Sequence, residues 1–202
     1  MSGFSSRRRI LLTATAAVTL SAFMVGCSKK EQELAFQGSD ISGTKLGRDL
    51  EMQDGSGKLR TLADYKGKVL LVFFGYTQCP DVCPTAMAEL SQTVELLGDD
   101  AAKVQVIMIS VDPARDTPEI LSAYVTAFNP SFVGLTGTPE QLSKTAKSFK
   151  AYYAKSSGGT ADQYGMDHAS SFYILDQQGE ARVLVSGNAS AQDIADDVKL
   201  LL

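Results

Sequence analysis

The sequence predicts an α/β domain in which a central mixed β-sheet is flanked by helices. Residues 68–76 and 104–112 form near-continuous apolar runs, which are typical of strands buried on both faces. Segments with helical periodicity alternate with these runs along the chain. Residues 171–187 have the pattern of a β-hairpin, which adds an antiparallel pair to the C-terminal half. We therefore expect three layers around a mixed sheet.

The first buried strand, KVLLVFFGY, is followed by a helix that Pro84 opens and that extends to Leu97. Apolar residues recur along this helix at the spacing of a single face, at Met87, Leu90, Val94 and Leu97. The second buried strand, VQVIMISVD, comes next in the chain. The order of elements so far is strand, helix, strand, which is typical of a parallel pair joined by a crossover helix.

Two later helices each begin with the sequence Thr-Pro-Glu. The first starts at Pro118, with Asp116 or Thr117 as its N-cap, and the second starts at Pro139 after a short strand, FVGLTG. The sequence predicts a loop over residues 156–169 and then the hairpin, whose turn is Asp176-Gln-Gln-Gly. A capped helix, SAQDIADDVKLLL, closes the chain.

The N-terminus has the features of an export signal peptide over residues 1–26. Three arginines, at positions 7 to 9, precede an apolar run that ends at Val25 and falls short of the roughly 20 apolar residues of a membrane-spanning helix. The alternative is a retained membrane anchor. The sequence MVGC resembles a bacterial lipobox, although Met24 stands where that motif prefers leucine, and it predicts lipidation of Cys27. SRRRIL also resembles a twin-arginine signal, so the export route stays open.

The mature protein is expected to be an exported, membrane-anchored lipoprotein that faces the periplasm or cell exterior. Residues 27–45 are polar and contain Gly and Ser, which predicts a lipid-anchored tether ahead of a domain over residues 46–202. Loss of residues 1–26 removes three arginines and no acidic residue, so the formal net charge moves from −4 to −7. The chain has no basic stripe or Arg-rich tail, which argues against nucleic-acid binding.

The stretch FFGYTQCPDVCPTAM contains two cysteines, Cys79 and Cys83, each followed by proline. Proline disfavours the helical conformation in the residue before it, so the two sulfurs are not expected on one helix face. We place Cys79 in the loop after the first strand and Cys83 at the cap of the next helix, where the helix N-terminus favours a reactive or ligating thiolate. The pair could be a structural disulfide, a redox couple or two metal ligands, but a disulfide would close only a short loop and contribute little chain entropy.

The chain has a single histidine, His168, in the loop before a buried strand. If that strand runs antiparallel to the first, the histidine can reach the cysteine loop at the carboxyl end of the sheet. Two thiolates and one imidazole form a soft donor set that suits Cu(I), or Cu(II) with a fourth ligand. A structural zinc would need a fourth protein ligand, whereas a catalytic zinc with a bound water is formally allowed.

The segments FFGYTQCPDVCPT, SVDPARDTPEIL and DHASSFYILDQQGE together resemble the Sco/SenC family, thioredoxin-fold copper chaperones of cytochrome c oxidase assembly. The resemblance covers about residues 45–200. It implies a thioredoxin-like fold, copper ligation by Cys79, Cys83 and His168, and a redox-active disulfide between the two cysteines. It also implies that Asp81 organises the site from outside the ligand set, with a solvated loop acid as the alternative.

Three further features concern the surroundings of this site. For Asp112 and Asp116 we expect structural roles, in a turn and at a helix cap. The stretch that precedes the last buried strand lacks the cis-proline of thioredoxin-like oxidoreductases, so a metal donor takes the place of their substrate clamp. Met166 could act as an additional soft donor during copper transfer, although methionine more often serves packing.

The predicted function is a copper metallochaperone without a catalytic residue of its own. It would carry one copper ion to the CuA site in subunit II of cytochrome c oxidase or another copper protein, or prepare the thiols of that site, as a monomer with accessory thiol-disulfide reductase activity. The main alternative is an extracytoplasmic thiol-disulfide oxidoreductase or thiol peroxidase. A redox or copper sensor is a third alternative.

Overall fold

The computed structural model describes residues 34–157, 160 and 164–202. Residues Ala35–Leu202 form one compact unit. The expected signal peptide and the lipidation site at Cys27 lie outside the described residues. Within the described ranges, no helix combines the length and apolar character needed to cross a bilayer.

The main sheet has six strands in the described part of the chain, which are Ser39–Asp40 (β1), Val69–Gly75 (β4), Val104–Ser110 (β5), Val133–Leu135 (β6), Phe172–Leu175 (β9) and Ala181–Val185 (β10). Their order across the sheet is β1-β10-β9-β4-β5-β6. β4 is parallel to β5 and antiparallel to β9, and β5 is parallel to β6. The sheet is mixed, and the expected C-terminal hairpin is present as β9 and β10.

Two small antiparallel sheets lie outside the main sheet among the residues that the structure describes. The first contains β2 (Glu51–Gln53) and β3 (Leu59–Thr61), and the second contains β7 (Tyr153–Lys155) and β8 (Met166–His168). The second strand of this last pair, β8, falls where the sequence predicts a loop over residues 156–169. That prediction is wrong at its C-terminal end, because backbone pairing with β7 holds the last residues before Ala169 in a strand.

Four α-helices complete the part of the domain that the structure describes. They are α1 (Val82–Leu97), α2 (Pro118–Phe128), α3 (Pro139–Phe149) and α4 (Ala191–Lys199). The side chains of Thr117, Thr138 and Ser190 each accept a hydrogen bond from the backbone N–H three residues on, at the N-termini of α2, α3 and α4. The prediction of Thr117 as a cap is confirmed, and the alternative, Asp116, is wrong because its carboxylate has other partners.

The helices cover both faces of the main sheet. All seven residues of β4 are buried, although side chains of a strand alternate between faces. Phe74 packs edge-on against Phe149 of α3, with ring centroids 5.4 Å apart. On the opposite face, a Cβ added at Gly75 would lie 2.9 Å from Sγ of Cys83 in α1. The three-layer arrangement is confirmed, and Gly75 leaves the space that the Cys83 sulfur occupies.

The folded domain begins earlier than the sequence predicts. Ser39 and Asp40 of β1 pair with β10, and the buried carboxylate of Asp197 in α4 accepts hydrogen bonds from the backbone N–H of Gln37 and Gly38, at 2.6 and 2.9 Å. Residues 37–45 therefore lie in the domain, and the expected tether ends before them. The polar composition of this segment predicts a tether. The segment is nevertheless held in the domain, by backbone pairing with β10 and by the distant carboxylate of Asp197.

Candidate metal centre

The two cysteines lie where β4 ends and α1 begins. Cys79 is half-buried in the intervening loop, and its backbone N–H donates to the carbonyl of Tyr76 at 3.3 Å. Cys83 is fully buried in the first turn of α1, whose N-cap is Asp81. The prediction that Cys83 is the cap residue is wrong by two residues. The side chain of Asp81 makes no capping bond, and Sγ of Cys79 instead accepts from the N–H of Cys83 at 3.4 Å.

This arrangement makes the two thiols unequal. Burial alone would raise the pKa of Cys79, but hydrogen bonds from the backbone N–H groups of Asp81, Cys83 and Val82 outweigh it and lower that pKa. Burial raises the pKa of the Cys83 thiol far above its ordinary value, and a backbone bond from Tyr76 offsets only part of the rise. The helix N-terminus therefore stabilises a thiolate at Cys79 rather than at Cys83, where the sequence analysis expected it.

His168 occupies the last position of β8 and faces the cysteine loop. Its Nε2 lies 3.4 Å from Sγ of Cys83, and its Nδ1 lies 3.0 Å from the carbonyl oxygen of Ala169. A carbonyl can only accept, so Nδ1 carries a proton, and in the neutral imidazole the lone pair is on Nε2, on the side of the sulfur. The rings of Phe73 and Tyr76 stand edge-on to the imidazole at centroid distances of 5.9 and 5.8 Å.

The antiparallel course of β9 brings the histidine to this position. Phe73 near the end of β4 is paired with Phe172 at the start of β9, so the segment that enters β9 lies at the carboxyl end of β4. The expected meeting of His168 with the cysteine loop is thus present in the structure. The sulfurs of Cys79 and Cys83 and a ring nitrogen of His168 all lie within 4.8 Å of one another. A soft metal ion could be held by such a set of donors.

A family model for SCO1/SenC matches residues 38–202. The chain belongs to the SCO1/SenC family. One relative is the SCO2-like protein of Rickettsia felis, which is 37% identical over 137 residues, or 67% of this chain and 67% of that protein. The thioredoxin-like fold that the sequence motifs implied is confirmed, because the domain is similar throughout to solved Sco structures.

Two of those structures are informative about the site. The structure of Bradyrhizobium japonicum ScoI with copper bound is 36% identical, has a TM-score of 0.69, and covers 83% of this chain and 100% of that chain. BsSco is 25% identical, has a TM-score of 0.60, and covers 81% of this chain and 96% of that chain. It is described as containing a disulfide switch and as a member of the Sco family of cytochrome c oxidase assembly proteins.

Two acidic residues of the SCO1/SenC motif SVDPARDTP are buried beside the centre. Asp116 is 1% exposed and accepts hydrogen bonds from the N–H and hydroxyl of Thr77 and from the hydroxyl of Ser110. Burial raises the pKa of Asp116, and these hydrogen bonds offset part of the rise. Asp112 accepts from the side chains of Arg115 and Tyr164. The hydrogen bonds within the fold give both acids a structural role, but Asp116 is not the helix cap that was expected, because Thr117 caps α2.

Asp81 and Met166 occupy different settings. The Asp81 side chain is exposed, and it is the backbone N–H of Asp81 that reaches the sulfur of Cys79. Met166 stands two residues before His168 on β8, so the two side chains share a face of that strand. The backbone N–H of Met166 donates to the hydroxyl of Tyr76. Organisation of the site by the Asp81 carboxylate and copper transfer through Met166 stay predictions.

The SCO1/SenC site also contains residues that the sequence analysis missed. Arg115 and Tyr164 form a cluster with Asp112, and Tyr76 packs on the imidazole of His168. A partial signal for Arg115 was available, because the sequence places this cation between Asp112 and Asp116, and opposite charges three residues apart can pair.

Proposed function

We propose that this protein is a copper metallochaperone that binds one copper ion through Cys79, Cys83 and His168. It would deliver the ion to the CuA site in subunit II of cytochrome c oxidase, or prepare the thiols of that site. The observation that carries the proposal is the convergence of two sulfurs and one imidazole nitrogen within 4.8 Å at the carboxyl end of β4. The copper-bound relative ScoI and the oxidase-assembly description of BsSco support this copper assignment and this acceptor.

The donor set explains both capture and release of the ion. Thiolates and imidazole suit copper, and the Nδ1 bond to Ala169 leaves Nε2 free to ligate. Three protein ligands leave room for a donor from the acceptor, so ligands can be exchanged without releasing free metal. Because copper must displace the proton of the buried Cys83 thiol, whose pKa is raised, binding should release protons and tighten as pH increases.

A thiol-disulfide oxidoreductase is the second candidate, and the inequality of the thiols favours it. Cys79 is the more exposed thiol and its pKa is lowered, as suits a thiolate that attacks a partner disulfide. Cys83 is buried beside it and would resolve the mixed disulfide. Copper binding needs the same thiols reduced, so the two activities would alternate at one site rather than act together.

Metal analysis of the reduced domain separates these candidates. Wild-type protein should bind one equivalent of copper, and X-ray absorption should detect two sulfur donors and one nitrogen donor. His168→Ala should lose stoichiometric binding while dithiol exchange with a model disulfide is retained. Cys79→Ser and Cys83→Ser should lose both activities. Weak, sub-stoichiometric copper binding by the reduced wild type would overturn the chaperone proposal and leave the oxidoreductase.

The location and assembly state of the protein are part of the proposal. We place the mature chain outside the cytoplasm as a monomer, anchored through lipid on Cys27 at the end of the MVGC motif. Mass spectrometry of the membrane-extracted protein should find a lipid-modified N-terminal cysteine. An unmodified mature N-terminus, or a chain that retains residues 1–26, would contradict the lipoprotein assignment.

A further inference from the structure

The strand that carries His168 is not part of the main sheet. Among the described residues, β7 and β8 pair only with each other, through Tyr153 opposite His168 and Lys155 opposite Met166. A two-stranded sheet of this size is marginally stable by itself. The position of the imidazole relative to the two sulfurs therefore depends on side-chain contacts between this hairpin and the rest of the domain.

Arg115 makes several of those contacts at once. It lies in the turn between β5 and α2, and its Nη1 donates to Oε1 of Gln78 at 2.9 Å and to the carbonyl of Tyr164 at 3.0 Å. Its Nε donates to the carboxylate of Asp112. Gln78 immediately precedes Cys79, and Tyr164 precedes His168 by four residues. One guanidinium thus joins the cysteine loop to the segment that enters the histidine strand.

The contact with Tyr164 is extensive. Cζ of Arg115 lies 3.7 Å from the centroid of the Tyr164 ring, and the hydroxyl of that ring donates to Oδ1 of Asp112 at 2.8 Å. Nζ of Lys155, on β7, lies 3.9 Å from the same centroid. The side chains of Arg115 and Asp112 are only 14% and 3% exposed, so solvent weakens these interactions little.

An ion pair with Asp112 alone would not require all the hydrogen bonds that Arg115 makes. A single bond from Nε meets the charge of the carboxylate, whereas the Nη1 bonds reach two other segments of the chain. A planar guanidinium can hold partners in several directions at fixed angles, and an ammonium group cannot. The pattern of bonds is that of a side chain that sets the relative position of three segments.

We propose that Arg115 is a positioning residue that holds the β7–β8 hairpin against the cysteine loop and thereby sets the distance between His168 and the two sulfurs. The inference rests on the proposed function in one respect: the expected effect on copper binding assumes that the imidazole of His168 ligates copper. The placement of the hairpin is a property of the polypeptide and can be measured without copper.

The first measurement uses the reduced protein without added metal. Amide hydrogen exchange should become faster at Ala169 and Ser156, whose N–H groups bond to Tyr152 and Gly165, when Arg115 is replaced by alanine. Exchange in β4 and β5 should stay at the wild-type rate. Arg48→Ala is the matched control, since Arg48 bonds to the exposed Glu180 and not to the hairpin.

The second measurement uses copper. Arg115→Ala should weaken copper binding about tenfold to a hundredfold in a competition titration and remove the nitrogen donor from the X-ray absorption spectrum. Arg115→Lys keeps the charge beside Asp112 but cannot bridge all the partners, so it should give an intermediate loss. In a His168→Ala background, Arg115→Ala should cause no further loss, because the ligand that it positions is already absent.

The two measurements distinguish a positioning role of Arg115 from a general role in stability. Unchanged exchange at Ala169 and Ser156 in Arg115→Ala would overturn the inference, and so would an equal loss of copper affinity with and without His168. Faster exchange throughout the domain would mean that Arg115 only stabilises the fold. If Arg115→Ala does not fold, Arg115→Lys must still show the hairpin-specific increase. If wild-type protein binds no copper, the proposed function fails while the exchange measurement still decides the role of Arg115.

Discussion

Replacing Gly75 with alanine tests whether the end of β4 is shaped around the Cys83 sulfur. An added Cβ would lie 2.7 Å from Cε1 of Phe73, 2.9 Å from Sγ of Cys83 and 3.0 Å from Cε of Met108. All three side chains are fully buried, so none can move aside into solvent. The substitution therefore overpacks the core at the point where the sulfur is seated.

Two opposing effects set the expected magnitude. Overpacking typically costs about 1–3 kcal/mol. Alanine also reduces the entropy of the unfolded chain relative to glycine, which returns about 0.5–1 kcal/mol. We expect a net loss of about 1–2 kcal/mol in the free energy of unfolding, or roughly 2–8 °C in Tm for a domain of this size. Displacement of the sulfur should also weaken copper binding, on the order of tenfold.

A second strand glycine provides the matched control. A Cβ at Gly134 in β6 would lie 2.6 Å from Cγ and 3.2 Å from the carbonyl oxygen of Leu121, which is comparably tight but involves neither cysteine. Gly134→Ala should lose similar stability and keep the copper affinity of the wild type. Urea unfolding and a copper competition titration measure the two quantities. Equal stability of Gly75→Ala and wild type, or equal loss of copper affinity in both variants, would refute the reasoning.

Two other predictions concern the thiols and the N-terminal segment. Iodoacetamide should label Cys79 before Cys83, because Cys83 stays protonated and buried. Labelling of Cys79 should become faster as pH rises toward its lowered pKa. Mass spectrometry of peptides measures both rates, and equal labelling of the two cysteines would contradict the prediction. Asp197→Asn should cost about 1.5–3 kcal/mol of unfolding free energy in urea, because the amide has one uncharged acceptor oxygen and leaves the N–H of either Gln37 or Gly38 without an acceptor. Asp196→Asn, on the exposed side of the same helix, should change stability by less than about 0.5 kcal/mol. An equal loss in both variants would argue against a role of Asp197 in holding residues 37 and 38.

Much of the fold was predictable because local signals agreed with it. The apolar runs at 68–76 and 104–112 became the paired central strands β4 and β5. Thr-Pro-Glu marked the starts of α2 and α3, where threonine caps the helix and proline lacks only an N–H that would have no partner. The β7–β8 pair was not predicted because its strands are three residues long and, apart from Tyr153, are formed by residues with weak strand preference.

The chemistry of the thiols was predicted less well. The sequence places both cysteines near a helix N-terminus, and that much was confirmed. Which sulfur receives the backbone N–H groups depends on how the loop folds back, and that loop places Cys79 over the first turn and buries Cys83 beneath it. Arg115 was likewise missed as a link between segments, because its partners Gln78 and Tyr164 lie 37 and 49 residues away in the chain.

The sequence by itself determined the composition of the site, two cysteines and one histidine, and the strands and helices that carry them. Hydrophobic periodicity, capping residues and proline act over a few residues, so they can be recognised without a structure. Only the tertiary structure decided that the imidazole meets the sulfurs, which of the thiols is buried, and that a single guanidinium joins the two halves of the site. All three features depend on contacts between residues distant in the chain. Those contacts arise only when the antiparallel strand β9 brings the β7–β8 hairpin to the end of β4.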